Sequence, residues 1–193
     1  LLLPFVYTIK EKGILAKYNH KICYNAFQDF ISNIGGKGVY YSELRKFTLN
    51  LYKNTSKKYA SKYFLDKTPR YYLIIDEIAE IFPNAKFIFL FRNPLDIFSS
   101  IITSWHKNKL LTLHSHYVDL FEGPKYLLSG FNKLNSRSLK INYEELVRNP
   151  GKKLLKLSEY LELEYQNFDL SKYNITKLNG RMGDNIGIRN YKS

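Results

Sequence analysis

An α/β fold built on a parallel sheet is what this sequence predicts, and three features carry the prediction. KFIFLF, Lys86 to Phe91, is apolar at nearly every position, as in a parallel strand covered on both faces. SLKINY, Ser138 to Tyr143, is a second stretch of strand character. The remainder is dominated by apolar residues recurring at helical steps, and strands separated by helices imply right-handed crossovers within one sheet. No internal repeat or domain-splitting linker interrupts residues 1–193, so a single domain is expected.

Taken in order, Phe5 to about Ile31 alternates apolar and polar positions at helical spacing, with a break at Tyr18-Asn19. NIGGKG follows as a turn. Ser42 opens an amphipathic helix, SELRKFTLNLYKNTSKKY, in which Leu44, Phe47, Leu51 and Tyr52 share a face. Phe64-Leu65 is a short strand candidate. Tyr71 to Ile81 is a helix stopped by Phe82-Pro83-Asn84. After the KFIFLF strand, Pro94 suits a first helical turn and the helix runs to about Lys107. Leu110 to Asn135 is helical around Gly123-Pro124. After SLKINY, Asn149-Pro150-Gly151 punctuates the chain before a last helix, KKLLKLSEYLEL, and the tail beyond Gln166 is irregular.

Lysine and arginine outnumber acidic residues 30 to 17, a formal net charge of +13, so anions are drawn to the surface. Nucleic acid, anionic lipid, polyanionic glycan and phosphorylated nucleotides all fit that charge, and so does a set of solvated helix faces. KKYASKY mixes bases and aromatics as single-strand binders do, but its spacing is that of an amphipathic helix. Cys23 is the only cysteine, which excludes an intrachain disulfide and cysteine-paired zinc; it fits a reducing, cytoplasmic compartment. No apolar run approaches the roughly 20 residues that cross a bilayer, and LLLPFV lacks the charged lead and cleavage site of a secretory signal. His114-Ser115-His116 offers two imidazoles without a supporting carboxylate or cysteine set, so no metal is expected.

The end of KFIFLF is where chemistry is expected, because ligands of open α/β sheets sit outside the carboxyl ends of the strands. Arg92 stands at that end. Asn93 can cap the following helix and Pro94 start it, which puts the arginine's fork close to free backbone N–H groups, an arrangement suited to an anion. Ser100, about two helical turns on, can add a hydroxyl. The competing reading is a structural salt bridge between Arg92 and Asp96.

The longer segment YFLDKTPRYYLIIDEIAEIFPNAKFIFLFRNPLDIFSSII resembles the sulfotransferases that use 3′-phosphoadenosine 5′-phosphosulfate. That resemblance implies a P-loop NTPase-like parallel sheet flanked by helices. In the family an arginine and a serine eight residues later bind the donor's 3′-phosphate, which falls here on Arg92 and Ser100. DKTPRYY is similar to an acidic-Lys-Thr/Ser-Pro segment, which makes Asp66 the candidate general base and leaves Lys67 to neutralise charge near the transferring group. The alternative for Asp66 is an ion pair with Lys67 or Arg70. INYEELVRNP resembles the strand and turn whose tyrosine contacts adenine, so Tyr143 is a candidate donor contact, with a core tyrosine as the alternative. LNGRMGD resembles the late loop that closes over the nucleotide and supplies Gly180, Arg181 and Gly183, although Leu178-Asn179 replaces the basic pair common there.

The Gly/Ser/Thr-rich loop that wraps the 5′-phosphosulfate in this family has no counterpart, since no G-x-x-x-x-G-K-[ST] occurs and Gly35-Gly36-Lys37-Gly38 has no preceding strand. The chain is therefore expected to be an internal piece of the domain, truncated at its N-terminus and without turnover by itself. The expected activity is transfer of a sulfuryl group to an acceptor hydroxyl or amine on a carbohydrate, lipid, peptide or small molecule, with no metal and no nucleic acid partner. A basic nucleic-acid-binding module and a non-catalytic nucleotide-binding remnant of the fold are the alternatives.

Overall fold

Among the described residues, Phe87–Phe91 (β1) and Ser138–Asn142 (β2) form a two-stranded parallel sheet, as their apolar pattern predicts. The register pairs Phe87 with Ser138 and runs to Phe91 opposite Asn142. Phe89, Leu139 and Ile141 are buried, whereas Leu90 is 52% exposed. The computed structural model describes residues 2–7, 20–61, 63–105 and 114–165. These divide into two compact units, one made of Leu1–Ala85 and Phe121–Arg137, the other of Lys86–Leu120 and Ser138–Ser193.

Among its described residues the first unit's regular elements are helices. Leu2–Tyr7 (α1), His20–Asn33 (α2) and Lys37–Lys58 (α3) come first. The turn between α2 and α3 is glycine-dependent: Gly35 and Gly36 have φ of 100° and 101°, a region that other side chains avoid. Gly36 N–H bonds to Ile31 C=O and Gly35 N–H to Ser32 C=O, the double closure that ends a helix in a left-handed cap. The turn therefore joins two helices, as expected. Tyr41, Leu44 and Thr48 line the buried face of α3, and the Thr48 hydroxyl satisfies itself on Leu44 C=O at 2.7 Å.

Phe64-Leu65, read as a short strand, is not one. Both residues are in irregular backbone, and the Phe64 ring stacks on Tyr52 at 4.0 Å. The predicted helix over Tyr71 to Ile81 opens as a 3₁₀ turn, Tyr71–Ile74, before Ile75–Ile81 (α4). No basic residue lies in the last turn of α4. Its terminal carbonyls are met from elsewhere. Arg45 donates to Ile81 and Glu80 C=O, and Arg137 donates to those of Ala79, Phe82 and Pro83. Gly123–Leu134 (α6) packs on α4 and the 3₁₀ turn at Gly130, where an added Cβ would lie 2.7 Å from Ile75 Cδ1.

The second unit holds the sheet, Pro94–Trp105 (α5), Tyr143–Arg148 (α7) and Pro150–Leu161 (α8). α8 is fastened to the start of β1: Tyr160 Oη accepts from Phe87 N–H at 3.2 Å, and Lys86 donates to Tyr160 C=O and Glu162. Tyr143, expected to end β2, instead opens helix α7, which the sequence pattern does not predict. Glu144 and Glu145 in the first turn and Arg148 in the last complement the helix dipole. Among the described residues no helix is long and apolar enough to cross a membrane.

Candidate functional site

Arg92 follows directly on β1 and Tyr143 directly on β2. Because the last register pair is Phe91 with Asn142, the next residue on each strand emerges beside the other. The consequence is a stack: the Arg92 guanidinium lies over the Tyr143 ring, 4.6 Å from its centroid. Arg92 Nε is buried and has no hydrogen-bond partner. The expected competitor, a salt bridge from Arg92 to Asp96, is absent among the described residues.

The turn after Arg92 is fixed by two carboxamide and carboxylate contacts. Asn93 Oδ1 accepts from Leu95 N–H at 3.0 Å, and Asn93 C=O accepts from Asp96 and Ile97 N–H. Asn93 therefore caps α5, as its sequence position implies. Its own N–H donates to Glu144 Oε1 at 2.7 Å. That donation holds the Glu144 carboxyl below its ordinary value, with the Arg92 charge acting in the same direction. Ser100 lies on α5, half-buried, and among the described residues its hydroxyl has no hydrogen-bond partner.

Asp66 and Lys67 belong to the first unit. Asp66 pairs with neither Lys67 nor Arg70 among the described residues; it is held by two phenols instead. Tyr52 and Tyr71 both donate to Asp66 Oδ2, Tyr71 at 2.7 Å, and Tyr71 Oη accepts from Leu2 N–H at 3.4 Å. Both phenols are pushed up by burial, and the bonded carboxylate raises them further. Lys67 is exposed. Arg92, Ser100 and Tyr143 are in the second unit. Gly180, Arg181 and Gly183 lie outside the described residues.

Sequence reasoning did not assign roles to Tyr52, Tyr71 or Glu144. Tyr52 shares the apolar stripe of α3, where its hydroxyl does not show, and Tyr71 sits at a helix start. Only Glu144, an acidic residue beside the candidate Tyr143, carried a usable signal. The His114-Ser115-His116 stretch is helical rather than extended, and His116 Nδ1 lies 3.6 Å from Asp119. Among the described residues no three His, Cys, Asp or Glu side chains gather as a metal site would require.

Comparison with known proteins adds the decisive observation. A family model described as "Sulfotransferase family" matches residues 16–167, most of the chain and a stretch that runs through both compact units. The chain belongs to the sulfotransferase family. One curated relative is similar over a shorter stretch: Nodulation protein NoeE of Sinorhizobium fredii (strain NBRC 101917 / NGR234) is 42% identical over 41 residues. That match covers 21% of this chain and 10% of NoeE. No solved structure matches the chain. The described residues carry that family's match on a mixed α/β scaffold.

Proposed function

We propose that this sulfotransferase takes its sulfuryl group from 3′-phosphoadenosine 5′-phosphosulfate and passes it to an acceptor hydroxyl or amine, with residues 1–193 contributing to a single domain. The observation that carries the reading is Arg92. A guanidinium at the carboxyl end of a parallel strand, beside the amino terminus of a 12-residue helix and hydrogen-bonded to no described residue, suits a dianionic phosphate.

In this reading the donor's 3′-phosphate accepts from the Arg92 fork and the Ser100 hydroxyl. The acceptor oxygen or nitrogen attacks sulfur in line as the bond from sulfur to the 5′-phosphate oxygen breaks, and adenosine 3′,5′-bisphosphate leaves. The acceptor's proton passes to Asp66. With Tyr52 and Tyr71 both donating to Oδ2, Oδ1 is the oxygen left to receive it. Lys67, exposed beside Asp66, offsets negative charge near the transferring group. Gly180, Arg181 and Gly183 would close over the nucleotide.

The test compares adenosine 3′,5′-bisphosphate with adenosine 5′-monophosphate, which lacks the 3′-phosphate, by calorimetric titration of the full-length protein. The native protein prefers the bisphosphate. A charge-assisted hydrogen bond contributes about 1.5–3 kcal/mol, so Arg92→Ala weakens bisphosphate binding by roughly tenfold to a hundredfold and leaves the monophosphate nearly unchanged. Ser100→Ala acts in the same direction but less. Equal weakening of both ligands, or no preference in the native protein, makes Arg92 a structural residue and removes the assignment.

A further inference from the structure

The family resemblance gives Tyr143 one task, contact with adenine, but the structure places its ring against Arg92. The guanidinium sits 4.6 Å from the ring centroid, and Arg92 Nε is buried without a hydrogen-bond partner. A stacked guanidinium engages its partner through a flat face, so the N–H groups of its terminal Nη nitrogens, which lie in the plane, are not used by the stack. A ring face covered by a guanidinium is closed to a purine. The backbone reinforces the placement from the same strand end, because Glu144, next to Tyr143, takes the Asn93 N–H at 2.7 Å. Two consecutive residues after β2 thus hold two consecutive residues after β1, one by its ring and one by its carboxylate.

We propose that Tyr143 is a positioning residue: its ring fixes the Arg92 fork toward the 3′-phosphate, and through Arg92 it sets the preference for a 3′-phosphorylated nucleotide. This rests on the assignment of Arg92 to the 3′-phosphate, and the two can fail separately. Without the ring the guanidinium must be ordered by the ligand itself, and that ordering cost falls only on ligands that use it.

The experiment is a double-mutant cycle on Tyr143→Leu and Arg92→Ala in the full-length protein, titrated with adenosine 3′,5′-bisphosphate and with adenosine 5′-monophosphate. Tyr143→Leu is expected to weaken bisphosphate binding about threefold to tenfold, the range of a partly desolvated cation–π contact, and to leave monophosphate binding within about twofold. Tyr143→Phe, which keeps the ring, retains the native preference. In the Arg92→Ala background Tyr143→Leu has no further effect on the bisphosphate, because the partner through which it acts is gone. A general folding defect would weaken both ligands in both backgrounds. Equal weakening of both nucleotides by Tyr143→Leu overturns the proposal, and an effect that persists in Arg92→Ala overturns it as well. If the native protein prefers the bisphosphate and Tyr143→Leu leaves that preference intact, the proposal falls while the phosphate site stands. If the native protein has no preference, both fall.

Discussion

Replacing Asp66 separates two things that the carboxylate does. It is the shared acceptor for Tyr52 and Tyr71, and it is the proposed base. Asp66→Ala removes both. Each phenol donates to an ionised oxygen, a bond of about 1.5–3 kcal/mol; the cluster is half-buried, so water replaces part of what is lost. The expected destabilisation is about 2–4 kcal/mol. Asp66→Asn keeps an oxygen that both phenols can reach but removes the charge and the basicity, so it costs only about 1–2 kcal/mol. Urea denaturation measures the first effect, with unchanged m-values showing that the midpoint shift is a stability change. Release of adenosine 3′,5′-bisphosphate from the sulfated donor by the full-length protein, in the presence of a panel of hydroxyl acceptors, measures the second. A positioned base contributes about a hundredfold to ten-thousandfold, so Asp66→Asn should remain folded and lose at least a hundredfold in turnover. Turnover within tenfold of native in a folded Asp66→Asn protein refutes the base assignment. Stability of Asp66→Ala within about 0.5 kcal/mol of native refutes the phenol clamp.

Three further outcomes test the packing and the ionisation behaviour. Gly130→Ala gains about 1 kcal/mol of helix propensity but drives a methyl group to 2.7 Å from Ile75 Cδ1 and 2.8 Å from its Cγ2, so a net loss of about 1–2 kcal/mol is expected in thermal unfolding, partly restored by Ile75→Val. The Tyr52 phenol lies higher in the folded chain than in the unfolded one, so its contribution is complete below the ordinary phenol value of 10.0 and is lost as pH rises through the folded value; Tyr52→Phe should flatten the decline in stability above pH 10. Glu144 has the opposite sign. Its carboxyl is lowered on folding, so its contribution is in place above the ordinary carboxylate value and is lost as pH falls through the folded one; Glu144→Gln should flatten the acid side of a urea-midpoint series against pH.

What could be read from the sequence was what is local along the chain. Strand β1 shows in KFIFLF because apolar β-forming residues run together, and the start of α5 shows in Asn93-Pro94 because a cap and a helix-opening proline are neighbours. The turn at Gly35-Gly36 shows for the same reason. What could not be read depends on partners far along the chain. Tyr52 finds Asp66 14 residues on, and its hydroxyl is invisible in a pattern that counts its ring as apolar. Phe64 has strand propensity, yet among the described residues no ladder partner; its ring stacks on Tyr52 instead. The strand pattern runs one residue too far, to Tyr143, because β-propensity ends gradually there while the dipole-matched charges of a short helix begin at once.

The stack of Arg92 on Tyr143 follows from the register, and that gives the site a physical logic beyond its residue types. Parallel strands paired from Phe87 with Ser138 to Phe91 with Asn142 deliver residues 92 and 143 side by side at the edge where ligands of such sheets bind. A slip of one residue would turn every β2 side chain to the other face and set Asn142 or Glu144 opposite Arg92 in place of the ring. Leu139 and Ile141, both buried, resist that slip, because it would exchange them for Lys140 and Asn142. The apolar alternation of β2 thus supports the proposed anion site, since it holds the tyrosine under the guanidinium. A substitution such as Leu139→Lys, which touches no ligand in the proposed mechanism, should therefore weaken discrimination between the bisphosphate and the monophosphate as well as lower stability, whereas a comparable cost in stability introduced at Gly130 should leave that discrimination unchanged.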